Sequence, residues 1–352
     1  MRAASLEFLQ QLLAAPSPSG YEQPAQKVWR SYVEAFADRV QGDVHGNSIA
    51  VVNPDGAPRV MFAGHCDELG FVVKYINDKG FIYFSTIGGH DRALIPGRRV
   101  TIYTRNGPVK GVTGKKAIHM MTSDERKKVP EIENLWIDIG VKSREEAEKM
   151  VSVGDPVVYD VGFETVQEHI ATSRGFDDKV GAFAVAEALR LLRESVPKAA
   201  VYAVATVQEE IGLRGARTSA FAIDPKVGIA VDVTHATDHP EVDQRKEGDI
   251  KLGGGPVITR GANANPRVVE LLMEAAKEED IQYQVEANAY GTPTDANVIQ
   301  LNRSGVATGL VSIPLRYMHT PSELVDLRDV ENTARLLAAF ARKITPDIDF
   351  RP

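Results

Sequence analysis

Histidines and carboxylates recur in this sequence where apolar, strand-like runs end or where a helical pattern begins. Imidazole nitrogens and carboxylate oxygens are ligands that suit divalent ions such as Zn, Co or Mn. Two imidazoles and three carboxylates are enough for a pair of such ions, so these residue types predict a dinuclear metal site. The candidates are His65 and Asp67, Asp177 and Asp178, Glu209 and Glu210, Asp232, and His319.

Each candidate also has an ordinary structural interpretation. An Asp directly before a helix is commonly an N-cap, and Asp178 fits that role. A Glu-Glu pair is usually a solvated turn, but Glu209 and Glu210 follow an apolar strand, where unpaired charge is unfavourable. Ligands of open α/β sheets bind at the carboxyl ends of the strands, so five segments that converge there favour a shared site.

Local geometry sorts some of the roles. In an extended segment residues two apart share a face, so His65 and Asp67 point the same way and Asp67 can orient His65. Cys66 points to the other side and is predicted to pack as a small buried hydrophobe. Glu209 and Glu210 diverge by the same rule. One of them can bind metal while the other acts as a general base, and the spacing leaves open which.

The elements that must position these residues alternate between strands and helices. Alternation of this kind predicts an α/β fold with a helix-covered sheet. A continuous apolar run predicts a strand that is buried on both faces. The predicted strands are 60–63, 199–207, 227–233 and 307–313, and the main helices are 179–193, 267–278 and 330–343.

Between about 69 and 162 the pattern changes to short strand-like runs separated by Gly, Pro and Asn turns. This change predicts a small β-rich domain or barrel inserted into the α/β domain. The predicted boundaries are 1–68 and 164–352 for the catalytic domain and 69–163 for the insert.

Composition restricts the classes of function. The chain has 352 residues, a formal net charge of −7 and one cysteine. The negative charge argues against nucleic-acid and acidic-membrane partners, and a lone cysteine fits a reducing compartment. No apolar run reaches the roughly 18 residues of a membrane span. We therefore expect a soluble, cytoplasmic protein without a membrane or nucleic-acid partner.

Five motifs together resemble a known family. They are GHCDE at 64–68, FDDK at 176–179, VQEEIGLRGA at 207–216, DVTH at 232–235 and RYMHT at 316–320. This set is similar to the tetrahedral (TET) aminopeptidases, the dinuclear metallopeptidases numbered forty-two in clan MH, which have also been labelled cellulase M or endo-glucanase. The resemblance covers essentially the whole chain, including the insert. Cys66 departs from the family pattern, which often has Met there.

The resemblance implies a fold of the zinc-peptidase type with a PDZ-like dimerisation domain as the insert. It also implies two divalent ions per subunit, Zn or Co foremost and Mn also tolerated. Carried over by position, one metal is held by His65 and Asp232, the other by Glu210 and His319, and both are bridged by Asp177.

The resemblance further implies that Glu209 is the general acid/base, that Asp67 supports His65, and that the peptide bond after Asp177 is cis. The implied activity is metal-dependent removal of N-terminal residues from short peptides. The implied assembly is a homo-oligomer of dimers that form a tetrahedral dodecamer. Substrate-binding residues stay unassigned, because the sequence does not place the loops of the substrate pocket in space, and acidic, basic and apolar side-chain preferences all remain open.

Two alternatives remain at this point. A glycoside hydrolase would use two of the carboxylates on a sugar, but it leaves His65, Asp232 and His319 without a task. A non-catalytic metal-binding scaffold would have no need of Glu209 as a spare carboxylate.

Overall fold

The computed structural model of the protein describes all 352 residues. It contains an eleven-stranded mixed sheet, a separate closed barrel of six strands, and helices that cover the sheet. The helices are α1 (Ala3–Ala14), α2 (Gln23–Val33), α3 (Ser123–Arg126), α4 (Arg144–Glu148), α5 (Phe176–Glu194), α6 (Arg214–Ile223), α7 (Gln244–Glu247), α8 (Pro266–Glu278), α9 (Ala296–Ile299) and α10 (Leu327–Lys343). The strands are β1 (Arg39–Gly42), β2 (Ser48–Val52), β3 (Arg59–His65), β4 (Gly70–Ile76), β5 (Ile82–Ile87), β6 (Arg99–Thr104), β7 (Gly107–Gly114), β8 (Trp136–Asp138), β9 (Pro156–Tyr159), β10 (Glu164–Gln167), β11 (Ile170–Ser173), β12 (Ala200–Thr206), β13 (Val227–His235), β14 (Val257–Gly261), β15 (Gln284–Asn288), β16 (Ala307–Arg316) and β17 (Glu323–Asp326).

Four central strands of the large sheet determine where its side chains can converge. The order β12-β3-β13-β16 is parallel throughout, and antiparallel strands flank it on both sides. The carboxyl ends of these four strands therefore lie at one edge. The α/β class and the helix-covered mixed sheet predicted from the sequence are confirmed.

Side chains of the central strands alternate between two apolar layers. In β3, Val60 and Phe62 pack in the layer formed with α1, α2, α5, α8 and α10, whereas Met61 and Ala63 pack in the layer formed with α6 and α9. Both faces of the strand are therefore buried. This explains why the strands read as continuous apolar runs rather than as alternating ones.

The β-rich part of the chain forms a closed barrel with the strand order β4-β5-β8-β7-β6-β9. Its strands run from Gly70 to Tyr159 and enclose an apolar core of their own. All six strands lie within the predicted insert 69–163, and the exact domain boundaries remain a prediction. No helix in the protein combines the length and the apolar character that crossing a membrane requires.

Candidate metal centre

The structure brings the five predicted segments together at the carboxyl edge of the sheet. Asp177 lies at the centre of the group. One of its carboxylate oxygens is 3.2 Å from Nε2 of His65, and the other is 3.2 Å from Nε2 of His319. A carboxylate that offers one oxygen to each of two imidazoles has the arrangement of a bridging ligand.

The two consecutive glutamates diverge, as the local geometry predicts. Oε2 of Glu209 is 3.8 Å from Nε2 of His65, whereas Oε2 of Glu210 is 3.7 Å from Nε2 of His319. The Oε1 atoms of both glutamates are buried and have no hydrogen-bond partner in the protein. Each glutamate therefore serves a different half of the centre and keeps one oxygen free.

Two sets of three side chains each bring their ligand atoms within 4.8 Å of one another. The His65 ring belongs to both sets. The first set adds Asp177 and Glu210, and the second adds Asp178 and Asp232. The His319 side chain is 39% exposed, while those of His65 and Asp177 are almost completely buried. Solvent therefore reaches the centre from the side of His319.

Asp178 already has hydrogen-bond donors for both carboxylate oxygens. Oδ1 accepts the N–H of Gly181 at 3.1 Å, and Oδ2 accepts the N–H of His65 at 3.1 Å. The first contact joins residues three apart, and Asp178 has non-helical φ and ψ angles near the start of α5, so the contact fits the N-cap interpretation of Asp178. The peptide bond between Asp177 and Asp178 is cis, as the resemblance implies.

A close approach of helix to strand brings Asp177 and Asp178 to His65. A Cβ atom built on Gly64 would collide with the main chain of Gly181 in α5. Only glycine at position 64 therefore lets the start of α5 lie directly against the end of β3, which is where the ligand atoms meet.

Asp67 contacts His65, as predicted, and also accepts hydrogen bonds that the sequence does not predict. Nδ1 of His65 is 3.1 Å from the main-chain carbonyl oxygen of Asp67 and 3.5 Å from its carboxylate. The carboxylate accepts the N–H groups of Glu209 and Glu210 at 3.0 and 3.1 Å, and it accepts the hydroxyl of Ser19 at 2.7 Å. Asp67 thus contacts His65, as predicted, and also holds the backbone of both glutamates.

Cys66 faces away from the centre. The side chain is fully buried among the apolar residues of the sheet, and burial raises the pKa of its thiol to about 12. A thiol of this kind is neither a ligand nor a nucleophile at neutral pH. The predicted packing role of Cys66 is confirmed.

Glu323 is a site residue that the sequence analysis did not single out. This buried side chain of β17 accepts the N–H of Asp177 on Oε2 and the N–H of His319 on Oε1, both at 3.1 Å. It therefore links two segments that lie far apart in the chain. A Glu four residues after a histidine is not a motif that the sequence analysis could recognise. Its carboxylate oxygens accept main-chain N–H groups, which almost any residue could supply.

The barrel also reaches the centre. The residues that follow β5 lie against two candidate ligands, because a Cβ atom built on Gly89 would be 3.4 Å from Nδ1 of His319. A Cβ atom on Gly88 would be 3.4 Å from Oε2 of Glu210 and would collide with Leu69. The φ angle of Gly88 is +74°, which also favours glycine.

Burial shifts the pKa values of the carboxylates at the centre. Burial raises the pKa of Glu210 well above its ordinary value, that of Glu209 to about 11 and that of Asp232 to about 8. At Asp177 burial acts in the same direction, but hydrogen bonds from His319 and His65 outweigh it and hold the pKa low. Crowded buried carboxylates with free oxygens, next to two imidazoles, fit divalent metal ions.

Comparison with known proteins points to peptidases. A family profile described as M42 glutamyl aminopeptidase matches residues 46–336. A lysyl aminopeptidase of Pyrococcus furiosus is 39% identical over 352 residues, which cover 98% of this chain and 99% of the relative.

Two solved structures share the fold over nearly the full length. A TET aminopeptidase from a marine sediment thaumarchaeon superimposes with a TM-score of 0.93 at 36% identity, covering 97% of this chain and 96% of that one. The Pyrococcus horikoshii TET1 peptidase, described as assembling into a tetrahedron or a large octahedral shell, gives 0.86 at 30% identity and covers 97% and 100%.

Proposed function

The chain belongs to the M42 family of aminopeptidases and is a peptidase hydrolase, and we propose that it removes N-terminal residues from short peptides at a centre of two divalent metal ions. The observation that carries the proposal is the position of Asp177. Its two carboxylate oxygens lie at the same distance from His65 and His319, and each imidazole has its own glutamate beside it.

Peptidases of this family are metal-dependent, and the donor set of this chain fits that requirement. We assign His65 and Asp232 to one ion, Glu210 and His319 to the other, and Asp177 to both. Imidazole and carboxylate ligands suit Zn or Co, and Mn is also tolerated.

Glu209 is proposed as the general acid/base. Metal ions, when bound, lower the pKa of water and polarise a carbonyl oxygen. The carboxylate of Glu209 lies beside His65 and has a free Oε1 atom. Bound cations would offset the burial that raises its pKa, and the ionised group could then take a proton from the attacking water. It can then deliver that proton to the nitrogen of the departing amine. Asp67 holds the main chain of Glu209 and thereby fixes the direction of the carboxylate.

A Thermotoga maritima structure named an endoglucanase shares the fold with a TM-score of 0.77 at 30% identity, but no feature of the centre favours a glycoside hydrolase. Glycosidases act through a pair of carboxyl groups, roughly 5–5.5 Å apart in retaining enzymes and roughly 6.5–9.5 Å apart in inverting ones. In this protein the carboxylates surround two histidines instead. The scaffold alternative leaves the free oxygen of Glu209 without a purpose.

We further propose that the protein acts as a homo-oligomer, with dimers joined through the barrel and assembled into a tetrahedral dodecamer. The assembly described for the TET1 peptidase supports this proposal. Short peptides are the expected partners, and the net charge of −7 supports the absence of nucleic acid and acidic membranes among them. The lone buried cysteine supports a cytoplasmic location.

The decisive experiment measures hydrolysis of chromogenic aminoacyl substrates by the chelated protein after addition of Zn, Co or Mn. The panel includes Lys and Glu substrates, because the relative is named a lysyl aminopeptidase and the family profile is described as a glutamyl aminopeptidase, and these two side chains carry opposite charges. Glu209→Gln should retain two ions per chain and lose turnover, whereas the exposed control Glu194→Gln should match the wild type. Full activity of Glu209→Gln would refute the assigned mechanism. Light scattering measures the mass of the assembly in the same samples.

A further inference from the structure

Four consecutive main-chain N–H groups follow strand β12, and each donates to a side-chain oxygen from another part of the chain. We call residues 207–210 the glutamate turn. The donors and acceptors are Val207 to Oδ1 of Asn47 at 3.1 Å, Gln208 to Oε1 of Glu22 at 3.1 Å, Glu209 to Oδ1 of Asp67 at 3.0 Å, and Glu210 to Oδ2 of Asp67 at 3.1 Å.

We propose that Glu22 is a positioning residue for Glu209 and Glu210, acting through the N–H of Gln208; this inference rests on the proposed function. The glutamate turn has left the sheet, so no neighbouring strand holds its backbone. Gln208 has a φ angle of +56°, which is unfavourable for a residue with a side chain. Such a conformation persists only where the surroundings hold it, and the Glu22 carboxylate supplies the acceptor at that residue.

The segment that carries Glu22 is itself tied to the centre. Oε1 of Glu22 also accepts the N–H of Gly20 at 2.7 Å, and the hydroxyl of Ser19 donates to Asp67 at 2.7 Å. Residues 19–22 therefore reach the glutamate turn by two routes, one through Asp67 and one through Glu22. The Glu22 side chain is only 4% exposed, so water does not readily replace it as an acceptor.

The role assigned to Glu22 requires that its side chain be long enough to bring Oε1 to the N–H of Gln208, and it does not require a charge. Burial, followed by the nearby charge of Asp67, raises the pKa of Glu22 to about 7, and Oε1 can accept the N–H of Gln208 in either protonation state. Two substitutions separate the length of the side chain from its carboxyl group. Glu22→Gln keeps an oxygen at the same distance without the carboxyl group, whereas Glu22→Asp keeps the carboxyl group and is one methylene too short.

The experiment measures kcat, KM, metal content and amide hydrogen exchange for the metal-loaded full-length protein. We expect Glu22→Asp to lower kcat by roughly 10- to 100-fold with KM nearly unchanged, because a displacement of about 1 Å in a catalytic group has effects of this size. Exchange should accelerate in the peptide that contains the glutamate turn, and metal content should stay at the wild-type value. Glu22→Gln should behave like the wild type in all four measurements.

A matched control makes the same shortening elsewhere. Glu187 is a buried glutamate of α5 that accepts the hydroxyl of Ser5 at 2.9 Å and makes no contact with the glutamate turn. Glu187→Asp should leave kcat and exchange in the turn unchanged. Asn47→Ala is a second test variant, since it removes the acceptor of the Val207 N–H, and we expect lower kcat and faster exchange there as well.

The outcomes separate this inference from the proposed function. Wild-type kcat and exchange in Glu22→Asp would overturn the inference, whatever Asn47→Ala does. An equal loss in Glu22→Gln would also overturn it, since the carboxyl group and not the position of its oxygen would then matter. A wild-type protein without metal-dependent turnover would refute the proposed function. In that case the exchange measurements still test the contact between Glu22 and Gln208.

Discussion

Replacing Glu323 by alanine is the sharpest test of how the metal centre is held. Its carboxylate accepts the N–H of Asp177 and the N–H of His319, so one side chain orients the proposed bridging residue and a proposed ligand from a different segment. Alanine removes both acceptors at a position that is only 2% exposed. Glutamine keeps one acceptor oxygen and turns an NH2 group toward the other N–H.

The expected loss of stability in Glu323→Ala follows from the two N–H groups that lose their acceptor. A buried donor left without a partner costs about 1–3 kcal/mol, so Glu323→Ala should lower the free energy of unfolding by roughly 2–6 kcal/mol. Side chains that orient metal ligands typically contribute about 10- to 100-fold to metal affinity. We therefore expect a weakening of that size for at least one ion in Glu323→Ala. Glu323→Gln should fall between the alanine variant and the wild type.

The assay is a metal titration of the chelated protein by calorimetry, paired with urea unfolding at a fixed metal concentration. The control is Asp326→Ala in the same strand. Asp326 is equally buried and accepts the N–H of Arg328 at 2.8 Å as the N-cap of α10, so its loss should lower stability by about 0.5–2 kcal/mol without changing metal affinity. Unchanged metal affinity in Glu323→Ala, or an equal loss in Asp326→Ala, would refute the role assigned to Glu323.

Three further predictions concern the barrel and the contacts that join it to the sheet. Burial lowers the pKa of His90 from 6.5 to about 4, so the unfolded state binds more protons between these values and stability should fall as the pH drops from 6.5 to 4. Relative to His90→Phe, the free energy of unfolding of the wild type should fall by up to about 3 kcal/mol over that pH range, as measured by urea unfolding. If the free energies of unfolding of the two proteins changed with pH in parallel, the lowered pKa of His90 would be contradicted. Gly88→Ala should lower the melting temperature more than Gly97→Ala, because both glycines have a positive φ but only Gly88 lies against other side chains; equal shifts would argue against that contact. Glu68→Ala should destabilise the protein by about 3–5 kcal/mol, which urea unfolding can measure, because it leaves two buried cations unpaired, and a loss below about 1 kcal/mol would show that they find other partners. These cations are Arg174 and Lys179.

The sequence predicts the parts of the fold that depend on patterns within one segment. Continuous apolar runs predict the parallel strands because both faces of those strands are buried. The two-residue period of an extended chain places His65 and Asp67 on one side and Cys66 on the other, and the structure agrees. The identification of the family extends these local predictions to the whole chain.

Contacts between distant segments could not be predicted in the same way. Glu323 and Glu22 act by accepting main-chain N–H groups, which every residue except proline offers, so their partners have no signature. The N–H groups held by Asp67 were missed for the same reason, although its contact with His65 was expected. Composition and spacing identify which side chains can bind a metal, but they do not identify the acceptors that hold those side chains in place.

The attachment of the barrel shows why the insertion point matters to the centre. The first barrel strand begins at Gly70, two residues after Glu68, and the last one ends at Tyr159. Arg174 links the two ends by donating to the Glu68 carboxylate and to the Tyr159 carbonyl at 2.9 Å each. Between these points Gly88 and Gly89 return to the centre and lie against Glu210 and His319. Glu68, which binds Arg174, directly follows Asp67, which accepts the N–H groups of Glu209 and Glu210. One stretch of backbone therefore carries both sets of contacts. The insert therefore contributes contacts to the candidate metal centre in addition to being attached to the sheet.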